Sequence, residues 1–271
     1  MIKRFFAFGC SYTQYSYATW ADFVGCNFDE YYNYGRGGAS NSFIMNRVVE
    51  CDEIFKFNSE TDTVIVMLSG FGRFSYLNKK WFTDGDLYSY YNNTKDSKIK
   101  GFLEHMWSEE SAIYNSWIAA KTIKTVLKDI PHKLFMAIDN RNYFEMDGSK
   151  WGREQTIRPH AIEKTKSIYS MLDDAESLDE WMSRKYVRDD YYIWKEEGNR
   201  FDGHPTQKMH FDFIKDKIPE YLTAKSQNLF NQVEEMFIDT TQHKQGTNYF
   251  FGMHGKLNNN HNAVSLFGDN L

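Results

Sequence analysis

Cysteine, proline and long apolar runs are scarce in this sequence, and an excess of positive charge is missing. The three cysteines, Cys10, Cys26 and Cys51, are an odd number at spacings that fit neither a zinc site nor a disulfide framework, so we expect reduced thiols. No stretch approaches the roughly 18 consecutive apolar residues of a membrane span, and the first apolar stretch is too short for a signal peptide. These absences predict a cytoplasmic protein without a membrane partner.

The balance of charges argues against a nucleic-acid partner. Lys and Arg total 32 against 37 Asp and Glu, and no basic block is present that would follow a phosphate backbone. Hydrophobic residues make up 41% and charged residues 25% of the 271 residues, which is the composition of a folded globular protein. Proline is limited to 4 residues while aromatics reach 17%, a bias typical of A/T-rich coding sequences such as those of many phages. Nothing in the composition indicates an oligomeric state.

Short apolar segments alternate with helical patterns through much of the chain. The apolar, β-branched or aromatic runs that we predict to be strands cover residues 2–8, 30–34, 63–68 and 133–138. The helical patterns comprise a turn at 20–24 and helices at about 41–51, 113–127 and 206–222, the last one started by Pro205. Strands separated by helices predict an α/β fold in which a parallel sheet is covered on both faces.

Two aromatic and charged stretches interrupt this alternation, at about 76–110 and 140–200. We interpret them as insertions at strand ends, where the ligand site of an open α/β sheet lies. Beyond residue 222 the composition shifts towards Asn, Gly and Gln. The predicted organisation is therefore one domain over residues 1–222 that carries two insertions, followed by a polar carboxyl-terminal extension over 223–271.

The residues suited to chemistry stand directly after the first predicted strand and just before the last predicted helix. Ser11 follows the glycine turn at Gly9, and a serine hydroxyl is a poor nucleophile unless a base removes its proton. Asp202 and His204 lie two positions apart, so that the acid can orient an imidazole suited to proton transfer at neutral pH. Ser11 and His204 therefore form a candidate catalytic pair, and the simpler alternative is that Ser11 only caps a turn.

Four short motifs, in this order, resemble those of the SGNH/GDSL hydrolases, and together they span residues 2–222. They are Gly9-Cys10-Ser11-Tyr12-Thr13, Asn33-Tyr34-Gly35-Arg36-Gly37-Gly38, the segment from Val64 to Arg73, and Asp202-Gly203-His204-Pro205. The resemblance implies a three-layer, flavodoxin-like α/β/α fold with a mostly parallel sheet. It also implies that Ser11 is the nucleophile, His204 the base and Asp202 its orienting acid, with the N–H groups of Ser11 and Gly38 in the oxyanion hole.

The activity that this resemblance implies is that of a serine esterase without metal or organic cofactor. Its substrate would be a small-molecule or carbohydrate acyl ester, including O-acetylated sugars. Acyl transfer to a sugar would use the same residues, with a hydroxyl entering in place of water.

Three positions depart from the family pattern. Cys10 stands where Asp is usual, and one residue separates Asp202 from His204 where two are usual. Gly72 stands where the third motif has an Asn that donates to the oxyanion. This last departure matters most, because removal of one oxyanion donor typically costs roughly 10²–10³ in rate. Asn41, three residues beyond Gly38, is our first candidate for a replacement donor, and Arg73 is the second.

The missing third-motif Asn and the polar tail keep a second function open, a binding or virion-associated module that retains the fold without catalysis. A nucleotide site is disfavoured, because Ser40 stands where a dinucleotide fingerprint starting at Gly35 would need its third glycine, and no phosphate-loop Lys follows. His210 and Asp212 follow His204 closely but do not have the spacing of metal ligands, so no metal is expected.

Overall fold

A computed structural model of the chain describes residues 1–15, 17–78, 80–86, 97, 101–102, 105–140, 159–187 and 204–242. The strands in these ranges are β1 (Arg4–Gly9), β2 (Glu30–Gly35), β3 (Asp62–Leu68), β4 (Arg73–Asn78), β5 (Lys80–Asp86) and β6 (His132–Met136). The α-helices are α1 (Trp20–Gly25), α2 (Asn41–Phe55), α3 (Glu109–Val126), α4 (Pro159–Tyr169), α5 (Leu178–Lys185), α6 (Gln207–Lys217) and α7 (Ala224–Gln242).

The four strands predicted from the sequence form one parallel sheet in the order β2-β1-β3-β6. Phe8 of β1 pairs with Tyr34 of β2 on one side and with Val66 of β3 on the other. This is the strand order of the flavodoxin-like doubly wound sheets, in which the connections reverse direction at the first strand. The predicted α/β fold with a mostly parallel sheet is confirmed, and Ser11 follows the strand at which the topology reverses.

Helices cover both faces of the sheet, and the alternating side chains of β1 show how. Phe5 stacks on Phe28, which follows α1, with ring centroids 5.1 Å apart. Its neighbour Phe6 points to the other face and meets Phe55 at the end of α2 at 5.2 Å. Successive residues of a strand face opposite sides, so α1 and α2 lie in different layers.

Helix α6 differs from its predicted range at the carboxyl end. Thr206 is the N-cap, and its hydroxyl accepts a hydrogen bond from the Met209 N–H at 3.3 Å. The helix ends at Lys217 and not at residue 222, and Pro219–Tyr221 forms a separate 3₁₀ turn. Proline disfavours helical backbone at the residue before it, which explains why the α-helix cannot continue through Ile218.

The first predicted insertion overlaps an antiparallel hairpin that begins before it at Arg73, in which β4 pairs with β5, and the second includes α4 and α5. Helix α7 lies within the predicted extension and packs on α1 and α6: Phe230 stacks on Phe211 at 4.3 Å, and the Ser226 hydroxyl donates to the Phe23 carbonyl at 2.8 Å. The predicted boundary between domain and extension stays a prediction. None of the helices in the described ranges is both long and apolar enough to cross a membrane.

Candidate active site

Ser11 lies in a tight, buried turn at the carboxyl end of β1. The turn is closed by the Thr13 N–H, which donates to the Cys10 carbonyl at 2.9 Å, and the Ser11 residue is 6% exposed. Gly9 allows this geometry, because a Cβ at that position would lie 2.0 Å from the Thr13 hydroxyl oxygen. A glycine before the turn is therefore a steric requirement for placing Ser11 here.

Two buried polar side chains hold the serine turn in place, and both bind the Thr13 carbonyl. The Asn33 amide donates to it at 3.0 Å, and the Thr19 hydroxyl donates at 2.7 Å. Asn33 also accepts from the Gly35 N–H at 2.9 Å, which ties the turn to the end of β2. Buried polar groups satisfied in this way fix one backbone arrangement, so the position of Ser11 is set by the neighbouring strand.

His204 lies beside Ser11, although 193 positions separate them in the sequence. The imidazole Nε2 is 3.0 Å from the Ser11 hydroxyl oxygen, within hydrogen-bond range for a serine and its base. His204 stands two residues before the N-cap of α6, at the same edge of the sheet as the end of β1. The structure thus brings together the two side chains that the sequence analysis paired.

Aromatic side chains from the segment after Ser11 surround the imidazole. Tyr15 stacks on His204 with ring centroids 4.2 Å apart and an angle of 21° between the planes, and Tyr12 meets the ring edge-on at 5.6 Å. The Tyr17 hydroxyl donates to the carbonyl of Pro205, the next residue, at 2.8 Å. We call Tyr12, Tyr15 and Tyr17 the tyrosine clamp; it holds the ring and the backbone of the histidine loop from one side of the site.

Of the predicted orienting acid and the predicted backbone oxyanion donor, the structure describes only the second. Asp202 lies outside the described residues, so its role stays a prediction. Gly38 lies in the loop between β2 and α2 with a φ of 73°, in the left-handed region that favours glycine. The Ala39 N–H donates to the Arg36 carbonyl at 3.1 Å and closes this turn. The left-handed backbone conformation at position 38 therefore favours the glycine that the motif contains.

Asn41 has a different use from the predicted one. Its amide nitrogen donates to the Ser69 carbonyl at 3.1 Å and to the Ser116 hydroxyl at 3.0 Å, and its oxygen accepts from the Ser69 N–H at 2.7 Å. Since the amide has two hydrogens, both are engaged, and none is left for an oxyanion. The interpretation of Asn41 as the replacement donor is corrected: the residue joins the start of α2 to the end of β3 and to α3.

The third motif contributes backbone and a charged side chain at the same edge of the sheet. Gly72 is buried in the turn between β3 and β4 and has no side chain that could donate. The preceding Phe71 N–H donates to the Asn140 side-chain oxygen at 2.8 Å. Arg73 begins β4, and its side chain lines a cavity beside this turn.

His210 lies in the first turns of α6 and is 1% exposed. Burial lowers the pKa of its imidazole to about 3, and the nearby His204 adds to this effect. The His210 ring is therefore neutral at neutral pH. Asp212, its neighbour in the sequence, accepts from the Tyr186 hydroxyl at 2.5 Å and pairs with Lys208.

The tyrosine clamp and Asn33 are the site residues that the sequence analysis did not identify. Asn33 stands in an otherwise aromatic strand, and a buried amide in such a strand is a recognisable signal, since it must find partners. The clamp gave no such signal, because tyrosines are common throughout this chain, which has 18 of them.

Comparison with family models finds no match, and no curated protein matches either. Among solved structures, the chain is similar to a catalytic mutant of Axe2, an acetylxylan esterase from Geobacillus stearothermophilus. The similarity covers 82% of this chain and 97% of that chain, at 12% identity and a TM-score of 0.42. Another Axe2 mutant, called an acetyl-xylooligosaccharide esterase, gives 13% identity and a TM-score of 0.42 over the same shares. Similarity at this level carries no functional argument.

Proposed function

We propose that this protein is a serine esterase that hydrolyses acyl esters through an acyl-enzyme. The observation that carries the proposal is the 3.0 Å separation between the His204 Nε2 and the Ser11 hydroxyl oxygen at the carboxyl end of the central strands. A turn-capping serine needs no histidine, whereas a nucleophilic serine needs a base within hydrogen-bond reach. The location also agrees, because ligands of open α/β sheets bind at this edge, where the strand order reverses.

In the first half of the reaction, the Ser11 hydroxyl oxygen bonds to the ester carbonyl carbon while His204 takes the hydroxyl proton. The N–H groups of Ser11 and Gly38 donate to the negatively charged carbonyl oxygen. The carbon–oxygen bond to the alcohol then breaks, and His204 returns the proton to the leaving oxygen. The product is an alcohol, and the acyl group remains on Ser11.

In the second half, water attacks the acyl carbon as His204 takes one of its protons. The bond to the Ser11 oxygen breaks, His204 returns the proton to the serine, and the acid is released. Asp202 would orient the imidazole and stabilise its charged form. A sugar hydroxyl in place of water would make the same site an acyltransferase. We expect acetyl and other short acyl esters, including those on carbohydrates, as substrates.

The tyrosine clamp supports the role of His204 as the group that becomes positively charged. The face of Tyr15 lies 4.2 Å from the imidazole, and aromatic faces attract cations. An imidazolium formed when Ser11 loses its proton would therefore be stabilised, and the ring would be held in one orientation.

The experiment that tests the proposal is labelling with a fluorophosphonate together with hydrolysis of short-chain 4-nitrophenyl esters and acetylated sugars. We expect Ser11 to be the labelled residue, and Ser11→Ala to abolish labelling and turnover with a nearly unchanged Tm. Ser183→Ala, at an exposed serine of α5 away from the site, is the matched control and should keep the Ser11 label. If the wild-type protein shows neither labelling nor turnover, the esterase proposal is wrong, and a non-catalytic binding module replaces it.

A further inference from the structure

A polar cavity lies beside the turn between β3 and β4, next to the amino ends of α2 and α3. Its volume is about 200 Å³, and its wall includes Arg73 and Trp107. Three hydroxyls and an amide also face it, from Ser42, Ser75, Ser111 and Asn115. Pockets for drug-sized ligands measure roughly 300–1,000 Å³, so this cavity, which we call the Arg73 cavity, suits one polar fragment of a larger molecule.

Arg73 brings a positive charge to this wall. Within the described parts of the chain, no carboxylate pairs with its guanidinium, and its Nη1 is buried without a hydrogen-bond partner. Burying a charged donor without an acceptor is costly, and such a group in a native protein calls for an explanation. Arg73 as a whole is only half-buried, so its other guanidinium donors stay accessible. A guanidinium binds planar anions such as carboxylates through two parallel hydrogen bonds, and an anion held by these donors would supply a countercharge.

The surroundings of Arg73 favour the same sign of ligand. Asn41 and Ser42, the first two residues of the 15-residue helix α2, line the cavity, so the partial positive charge at the amino end of this helix lies beside it. Helix α3 contributes one side of its first turns, including Ser111 and Asn115. Glu109 and Glu110 begin α3 but are not among the described residues that line the cavity. The Ser42 hydroxyl and the Asn115 amide can donate to an anion or to the hydroxyls of a sugar ring, and apolar residues such as Phe74 and Met106 form much of the remaining wall.

The cavity adjoins the oxyanion side of the candidate active site. Its wall includes Ser40, two residues beyond Gly38, and two residues of chain reach at most about 7 Å. On the other side, Arg73 directly follows Gly72. The Ser40 N–H donates to the Ser75 hydroxyl at 3.1 Å and joins the two walls. A group bound in the cavity can thus belong to the same molecule as the ester that Ser11 attacks.

We propose that the Arg73 cavity binds a carboxylate of the substrate, so that the enzyme prefers acyl esters that carry a negative charge over neutral esters of similar size. This inference rests on the proposed function, since it treats the cavity as part of the same substrate site. The carboxylate is carried either by the acyl group or by the alcohol, and the two arms of the test separate these sources.

In the acyl arm, kcat/KM is measured for mono-4-nitrophenyl glutarate and for neutral 4-nitrophenyl pentanoate. In the alcohol arm, it is measured for an O-acetylated methyl glucuronoside and the corresponding methyl glucoside. We expect the wild-type protein to prefer the anionic member in one arm, and Arg73→Gln to lower that preference about 10- to 100-fold, as expected for hydrogen bonds to a charged group. A preference near one in both arms, or one that survives in Arg73→Gln, overturns the inference.

Two further variants separate charge from folding. Arg73→Lys keeps the positive charge but loses the paired donors, so it should retain part of the preference. Lys128→Gln removes one surface charge beyond the far end of α3 and should leave the preference unchanged; the Lys128 side chain is 72% exposed. An equal loss of preference in Lys128→Gln would assign the effect to net charge and overturn the assignment of the cavity.

Binding to Ser11→Ala, measured by calorimetry with glutarate and glucuronate, tests the cavity without turnover. We expect one of the two to bind, and Arg73→Gln in the Ser11→Ala background to weaken that binding about 10-fold or more. If the protein binds a carboxylate but hydrolyses no ester, the proposed function is wrong and the cavity is an anion-binding site. If the protein hydrolyses neutral esters but shows no Arg73-dependent carboxylate binding, the inference about the cavity is wrong and the esterase proposal stands.

Discussion

The two sides of the candidate site are built in different ways. On the Ser11 side, side chains provide the chemistry: a serine, a histidine 3.0 Å away and the tyrosine clamp around the ring. On the oxyanion side, Gly38 and Gly72 provide only backbone, and the amide of Asn41 is engaged in the fold. Proton transfer needs particular side chains, whereas an oxyanion needs only donors at the right place, so the second side can change its residues more freely.

The largest expected effect comes from removing the base on the Ser11 side of the site. His204→Ala removes the base, and we expect kcat/KM for a short acyl ester to fall by at least about 10³-fold, because serine and base act as one unit. The double variant with Ser11→Ala should fall little further. Additive losses in the double variant would show that the two residues act independently and would contradict the proposed pair.

The oxyanion side is tested with Asn41→Ala. This change leaves the buried N–H and carbonyl of Ser69 without their partner, and each such group costs about 1–3 kcal/mol, so the free energy of unfolding should fall measurably. Asn46→Ala on the same helix removes an amide that donates to the Ser42 carbonyl, and it serves as the milder control. A loss of turnover of about 10²-fold or more with unchanged stability would restore Asn41 as an oxyanion donor.

A pH experiment tests whether the buried His210, near His204, stays neutral in the folded protein. The folded-state pKa of His210 is about 3, whereas an unfolded histidine titrates near 6.5, so between these values the unfolded chain binds a proton that the folded chain excludes. Stability should therefore be lost as the pH falls from about 6.5 towards 3, by up to about 1.4 kcal/mol per pH unit from this residue. Denaturant unfolding between pH 7 and 4.5 measures the slope.

His210→Gln removes the titration while its packing cost stays constant over the same range. The variant should therefore show a shallower slope than the wild-type protein, whatever its stability at pH 7. Equal slopes would mean that His210 is not buried in its neutral form.

The smallest expected effect concerns the tyrosine clamp. Tyr15→Leu removes a ring contact, and such contacts contribute about 0.5–1.5 kcal/mol, so kcat/KM should fall about 2- to 10-fold. Tyr15→Phe keeps the ring and should retain most of the activity, since stacking does not need the hydroxyl. A fall in Tyr15→Phe equal to that in Tyr15→Leu would assign the role to the hydroxyl.

Local patterns predicted most of the sheet. The segments 30–34 and 63–68 became β2 and β3 almost residue for residue, because a short apolar or aromatic run closed by glycine or a turn admits few other structures. The ends of α3 and α6 were predicted less well, since α3 begins at Glu109 and α6 ends at Lys217. Helix ends depend on capping and on nearby proline, which apolar spacing alone does not encode.

The candidate site also contains residues that could be predicted from the sequence and residues that could not. The motifs proposed Ser11, His204 and Gly38 as candidates from their types and order, and the structure places Ser11 and His204 within hydrogen-bond distance. The role of Asn41 was not predictable from its position at a helix start, because an amide there can turn outwards to a ligand or inwards to the fold. Its contacts with Ser69 and Ser116 involve elements that are 28 and 75 positions away, and only packing brings them into reach.

The amino-acid sequence by itself determined the four strands of the parallel sheet, the approximate positions of four helices and the candidate residues for acyl transfer, because these depend on the spacing of apolar residues and on side-chain chemistry within short segments. Tertiary structure alone decided which polar side chains face the site and which are used up inside the fold. The hydrogen-bond partners of Asn41 and the cavity beside Arg73 arise between elements that are distant in the chain and become neighbours only when the sheet and its two helical layers pack.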